Sequence, residues 1–262
     1  MTRRTFALSL VAGTLAAETA KDRGKRLLDN TLRALGGDAF RNLRTRTETG
    51  RAYSFYHEKL SGLSIARIYT KYIEPDGKSP IYQLQRQVLG KKQEDAVIFT
   101  TNDAYDVTYR GAKPLTDQQI QQFRDTTLHD IFYILRERVG GPDFEVEGAG
   151  ADFVENQPAE MMDLFDSENR KVRLWVNSDT FLPVKQSFTR WDPIVNDRRE
   201  EVTRYSKYRS VGNNVMWPYV TERERDTEKI FVLYSDHVSV DDALPDSMFE
   251  LPNGIRMLSR SK

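Results

Sequence analysis

Cysteine is absent from the 262-residue sequence. That excludes disulfides, thiol nucleophiles, Cys-ligated metals and anchoring through a lipid-modified N-terminal cysteine. An oxidising compartment stays open, because it permits disulfides without requiring them. Histidine is scarce, with only His57, His129 and His237. No two of them stand at i, i+4 and H-E-x-x-H is missing, so no metal site is expected. Each has an acid as neighbour, but successive residues on a strand face opposite ways. His57/Glu58 and Asp236/His237 therefore cannot form dyads on a strand, and the histidines read as surface or packing residues. Net charge is also absent, with 39 basic and 39 acidic residues. No nucleic acid or other polyanion is implied as a partner. After the N-terminal segment, no run approaches the ~20 apolar residues of a membrane helix, so no stable membrane span is expected.

Known catalytic patterns are missing as well. "GAGAD" (residues 148–152) has G-x-G but neither a third glycine nor a following helix. "GLSIA" (residues 62–66) half-matches a nucleophile elbow but lies in strand-like sequence. There is no phosphate loop and no EF-hand. Neither catalytic residues nor a cofactor are expected. A carboxylate pair assembled by folding would leave no linear trace, so a hydrolase on a β scaffold stays as an alternative.

The first residues read "MTRRTFALSLVAGTLAAETA". A basic start at Arg3 and Arg4, an apolar run and small residues after it have the anatomy of a cleaved secretory signal over residues 1–20, compatible with twin-arginine export. Cleavage near Ala16 or Ala17 would remove two arginines and no acid, leaving two more acidic than basic residues. An exported, periplasmic protein follows.

Residues 21–262 read as one domain, since no change of composition marks a linker. Residues 21–37 form a helix candidate with Leu28, Leu32 and Leu35 on one face and Gly36-Gly37 as stop. Short segments rich in β-branched and aromatic residues follow to about residue 109. A helical insert at 115–139 interrupts them, capped by Thr116 or Asp117, with a partial apolar stripe of Ile120, Phe123, Ile131 and Leu135. Thr126-Thr127 suggests a break into two helices. Strands resume after Pro142, with a hairpin turn at Asn213-Asn214. In "VRLWVNSDTFLPVKQSF" (residues 172–188), Val172, Leu174 and Val176 share one face, and Val184, Gln186 and Phe188 line one face of the returning arm. The charge-alternating runs "NDRREE" (196–201) and "ERERDTEK" (222–229) read as turns or solvated strand faces. Trp175, Phe181, Phe188, Trp191, Trp217 and Phe231 gather in or beside the later strands. They suit a barrel core or the wall of a hole.

The C-terminal half resembles the LolA-like superfamily of periplasmic outer-membrane lipoprotein carriers and related sensors. The likeness rests on an ordered series of turn motifs: "TFLP" (180–183), Tyr205 and Tyr208, a glycine-containing turn, Pro218, and the closing "LPDSMFELP" with Phe249 and Pro252. Leu35-Gly36-Gly37 and the hairpin "NDAYDVTYRG" fit too, with Tyr105 where such proteins often carry tryptophan. The resemblance implies a mainly β (α+β) fold: a half-open antiparallel β-barrel with short helices as a lid or plug over a cavity for acyl chains. Ile120, Phe123, Ile131, Leu135, Leu174, Trp175, Phe188, Trp217 and Phe231 are the candidate lipid-binding residues. The implied function is a carrier that takes lipoprotein or another lipid from an inner-membrane donor to an outer-membrane acceptor. An envelope stress sensor of the same fold, binding misfolded lipoprotein, is the alternative within that fold.

Overall fold

The computed structural model describes residues 18–77, 79, 81–90, 95–141, 143–168, 170–192 and 196–260. Most of the expected export segment, residues 1–20, thus lies outside the described residues.

The chain opens with α1 (Ala20–Leu35) and a single turn, α2 (Asp38–Arg41). Six strands follow: β1 (Thr45–Tyr56), β2 (Lys59–Tyr72), β3 (Gln83–Leu89), β4 (Asp95–Phe99), β5 (Ala104–Thr108) and β6 (Gly111–Pro114). Two helices come next, α3 (Asp117–Leu128) and α4 (Ile131–Glu137). Seven strands complete the fold: β7 (Glu145–Val154), β8 (Gln157–Phe165), β9 (Lys171–Asn177), β10 (Pro183–Asp192), β11 (Asp197–Ser210), β12 (Met216–Arg225) and β13 (Glu228–Val240). A short 3₁₀ turn, Asp246–Phe249, precedes the C-terminal tail.

All thirteen strands belong to one sheet, in the order β6-β5-β4-β3-β2-β1-β13-β12-β11-β10-β9-β8-β7. Each neighbouring pair is antiparallel, and β1 against β13 joins the two meanders. The edges are β6 and β7, the strands on either side of the α3–α4 segment. Twist curls so wide a sheet, and the helices join its two edges in place of strand pairing. The result is a half-open barrel, mostly antiparallel β with short helices. Its β6 edge is covered by the tail, where the Ala112 N–H donates to the Arg256 carbonyl at 2.9 Å.

Local chemistry sets the elements. Thr19 caps α1 by accepting from the Asp22 N–H, and Gly36 with φ 124° ends it. Leu27, Leu28, Leu32 and Leu35 are buried against β7 and β8. The approach is close: a Cβ on Gly24 would stand 2.8 Å from the Glu147 backbone. Asn213 and Asn214 take positive φ in the β11–β12 turn, as that two-residue turn requires. His57 and Glu58 also take positive φ, and they form the β1–β2 turn rather than strand positions.

The main core lies inside the curve, toward β7–β11. It joins Leu27, Leu35, Ile131, Leu135, Met162, Leu164 and Leu174, all essentially without exposure. Val172, Leu174 and Val176 enter this core from β9. On β10 the register shifts between Pro183 and Lys185. This bulge sets Val184 with the outer Trp175 cluster, while Gln186 and Phe188 are buried inward. The single inward face expected for Val184, Gln186 and Phe188 is corrected accordingly.

Candidate functional site

The insert between β6 and β7 divides into two unequal helices. Thr116 starts α3 with a capping box, exchanging hydrogen bonds with Gln119. The break expected at Thr126-Thr127 falls instead after Leu128, because Asp130 caps α4 by accepting from the Tyr133 N–H at 3.0 Å. All five residues from Ile131 to Leu135 are buried, whereas α3 buries only Thr127 and Leu128. Thus α4 is a plug and α3 a cover. Phe123 fixes α3 to the sheet by stacking on Phe99, with centroids 3.8 Å apart.

The junction of the two helices is tied to the sheet by Gln186 on β10. Its Oε1 accepts from the Ile131 N–H at 2.9 Å and from the Tyr205 hydroxyl at 2.7 Å. Its Nε2 donates to the His129 carbonyl at 2.9 Å. Both halves of the buried amide are thereby satisfied. The His129 ring stacks on Phe188 at 4.2 Å and contacts the Asp125 carbonyl through Nδ1 at 2.6 Å. Burial holds the pKa of His129 below its ordinary value, although the contact with Asp125 opposes the shift. Burial likewise pushes the Asp130 carboxyl up, against the N–H of Tyr133 and the charge of Arg46.

Beneath α3 the concave face does not close. A cavity of about 690 Å³ remains, lined by β1–β5, β11–β13 and the helices. Small-molecule sites span roughly 300–1,000 Å³. Its walls are of two kinds. Phe99, Phe123, Phe132, Trp217, Phe231 and Leu233 give an apolar surface. Gln83, Gln85 and Gln87 at alternate positions of β3, with Gln119 and Gln122 of α3, give a ring of amides. Arg46 is nearly enclosed. Its Nη1 lies 2.6 Å from Glu48 Oε2, its Nη2 donates to Thr70 Oγ1, and its guanidinium sits 4.3 Å from the centroid of Trp217. Burial opposes the charge of Arg46, but Glu48 and Tyr72 outweigh it and raise the pKa.

The structure distributes the candidate residues as follows. Phe123, Trp217 and Phe231 line the cavity together. Ile131, Leu135, Leu174 and Phe188 fill the adjoining core, which Trp217 also touches. Ile120 borders a separate surface groove with Arg124 and Arg260. Trp175 faces the other side of the sheet, where its Nε1 donates to Asp152 at 2.9 Å and Lys185 lies over its ring. Sequence reasoning placed Gln186 on a strand face without a role, and it missed Arg46, the glutamines of β3 and α3, and Arg223 of β12, which also lines the cavity. The Gln-x-Gln-x-Gln of β3 is visible as a pattern, but the face it occupies is not. Among the described residues, no cluster of His, Asp and Glu could hold a metal, and no helix is long and apolar enough to cross a membrane.

No protein-family model matches this sequence, and no curated protein matches it. Solved structures do match. A DUF1329 family protein from Desulfovibrio piger is similar at TM-score 0.59 and 12% identity, over 86% of this chain and 96% of that one. A putative outer membrane lipoprotein-sorting protein domain from Vibrio parahaemolyticus gives TM-score 0.56 and 10% identity, over 88% and 97%. A LolA superfamily protein from Nitrosomonas europaea gives TM-score 0.50 and 16% identity, over 89% and 98%. At these identities the likeness is one of fold, and it extends over nearly the whole of each neighbour: this chain has a LolA-like fold.

Proposed function

We propose that this protein binds an amphiphilic lipid or the acyl chains of a lipoprotein in the cavity under α3, and carries that cargo without chemically changing it. The observation that carries the reading is a cavity of about 690 Å³ with an aromatic wall, under a helix that is lightly held. A half-open space of mixed lining suits a ligand with both a hydrocarbon part and polar atoms. The fold neighbour described as a lipoprotein-sorting domain supports the same reading.

The energetics suit a carrier. Burying acyl CH₂ groups is worth ~0.8 kcal/mol each, so a sixteen-carbon chain offers about 10 kcal/mol before ordering costs. A net affinity near ~1 μM, or about −8 kcal/mol, would allow both capture and release. With residues 1–20 as an export signal, the work is done in the periplasm, between an inner-membrane donor and an outer-membrane acceptor. Handover then follows the relative affinities of donor, carrier and acceptor.

The test is lipid mass spectrometry on protein purified through its export route, together with displacement of a fluorescent acyl probe. Stoichiometric acyl cargo, lost in Phe123→Asp, is the expected result. Absence of cargo and of probe binding in a folded protein would refute the reading.

A further inference from the structure

The run "ERERDTEK" alternates in sign at the period of a strand, and β12 sorts the signs by face. Glu222 and Glu224 point outward, paired with Lys229 and Arg204. Arg223 and Arg225 point into the concave side, where they meet Glu201 of β11 and Arg190 of β10. Glu201 is only 3% exposed in its side chain. Its Oε1 accepts from Arg190 Nε at 3.0 Å and from Arg225 Nε at 2.7 Å. Its Oε2 is buried without a hydrogen bond, and Arg223 approaches it only to 4.0 Å. Three guanidinium groups thus share one carboxylate. Arg199, opposite Arg190 in the register, adds nothing to the excess, since Asp192 and Asp226 hold it.

Arg223 is the member of the trio that lines the cavity, and it stands opposite Phe231 in the β12–β13 register. Of the cavity's own acids, Glu48 is engaged by Arg46 and Asp106 stands on β5. Asp130 caps α4 and feels the charge of Arg223, but its burial favours the neutral carboxyl. Clustered like charges in a low-dielectric cleft repel one another unless an anion joins them, and the guanidinium fork matches carboxylate and phosphate oxygens. We propose that Arg223, backed by Arg190 and Arg225, binds the carboxylate or phosphate head of an anionic single-chain amphiphile, whose tail runs from Phe231 toward Trp217 and Phe123. The assignment rests on the reading of the cavity as a lipid site and specifies its cargo.

The test is displacement of Nile red, an uncharged probe, at about pH 8, where carboxylates are ionised. Hexadecanoate, hexadecyl phosphate, hexadecanol and inorganic phosphate are compared. The two charged amphiphiles are expected to compete about tenfold or more better than hexadecanol, the scale of one charge-assisted hydrogen bond. Inorganic phosphate should not compete. Arg223→Gln should erase the preference while still binding Nile red and hexadecanol, and Arg223→Lys should restore part of it. Equal competition by all three sixteen-carbon compounds would overturn the anionic head and leave the lipid cavity standing. Competition by inorganic phosphate alone would overturn the amphiphile. Failure of Nile red and every amphiphile to bind would overturn both readings.

Discussion

From β7 to β9 the inward positions carry Val146, Met162, Leu164, Val172 and Leu174, and α1 and α4 close over them. On β3 the equivalent positions carry Gln83, Gln85 and Gln87, and α3 arches over a cavity. The backbone is the same curved sheet with the same two-residue alternation. Aliphatic side chains shed water cheaply and pack on one another until no space is left. Amides and guanidinium groups keep water or a polar ligand unless each donor finds a partner. One sheet therefore builds a packed core and an open site side by side. The helix above each half matches it, since α4 is buried over most of its length and α3 is not.

The strongest way to break this contrast is in the packed half. Leu135→Ala, at a side chain with no exposure, should cost about 2–5 kcal/mol in urea unfolding. Ligand affinity of the fraction still folded should be unchanged. Gln186→Leu comes next. It strips partners from the Ile131 N–H, the His129 carbonyl and the Tyr205 hydroxyl, for about 2–3 kcal/mol. Limited proteolysis should then cut first between α3 and α4.

A smaller effect tests the boundary between the halves. Asp130 has its pKa raised by burial, so the folded state holds the proton more tightly than the unfolded state. Its contribution to stability is present below its unfolded value of 3.8 and is lost as pH rises through the raised folded value. Asp130→Asn keeps the helix cap and removes the titration, so it should gain on the wild type as pH rises over that window. Parallel pH profiles for the two proteins would contradict this. The last change is Phe123→Ala, which loses the stack on Phe99, worth about 0.5–1.5 kcal/mol, together with the packing of this partly buried ring on Ile81, Leu128 and Tyr133. Release of a bound probe should quicken in that variant, measured by stopped flow.

Features governed by neighbours in sequence were legible in advance. Gly36-Gly37 ending α1, the Asn213-Asn214 turn and the inward Val172–Leu174–Val176 stripe need only local rules. The half-open barrel was legible through an ordered set of turn motifs rather than through any single residue. The break between α3 and α4 was misplaced because threonines weaken a helix less than a new cap ends it. Asp130 before the apolar "IFYIL" was the overlooked signal. The bulge at Pro183–Lys185 has no local signature, so Val184 alone of the expected β10 face lies on the other side. The three arginines on Glu201 come from β10 and β12, on either side of β11, and only the register of the folded sheet brings them together.

The most direct test of the contrast between plug and cover is hydrogen exchange, measured peptide by peptide with and without an acyl ligand. Amides of α4 and the β7–β9 strands should exchange slowly in both states. Those of α3 should exchange fast when the cavity is empty and become protected when it is filled. Slow, ligand-independent exchange throughout α3 would mean that the cover is as fixed as the plug, and would contradict the account.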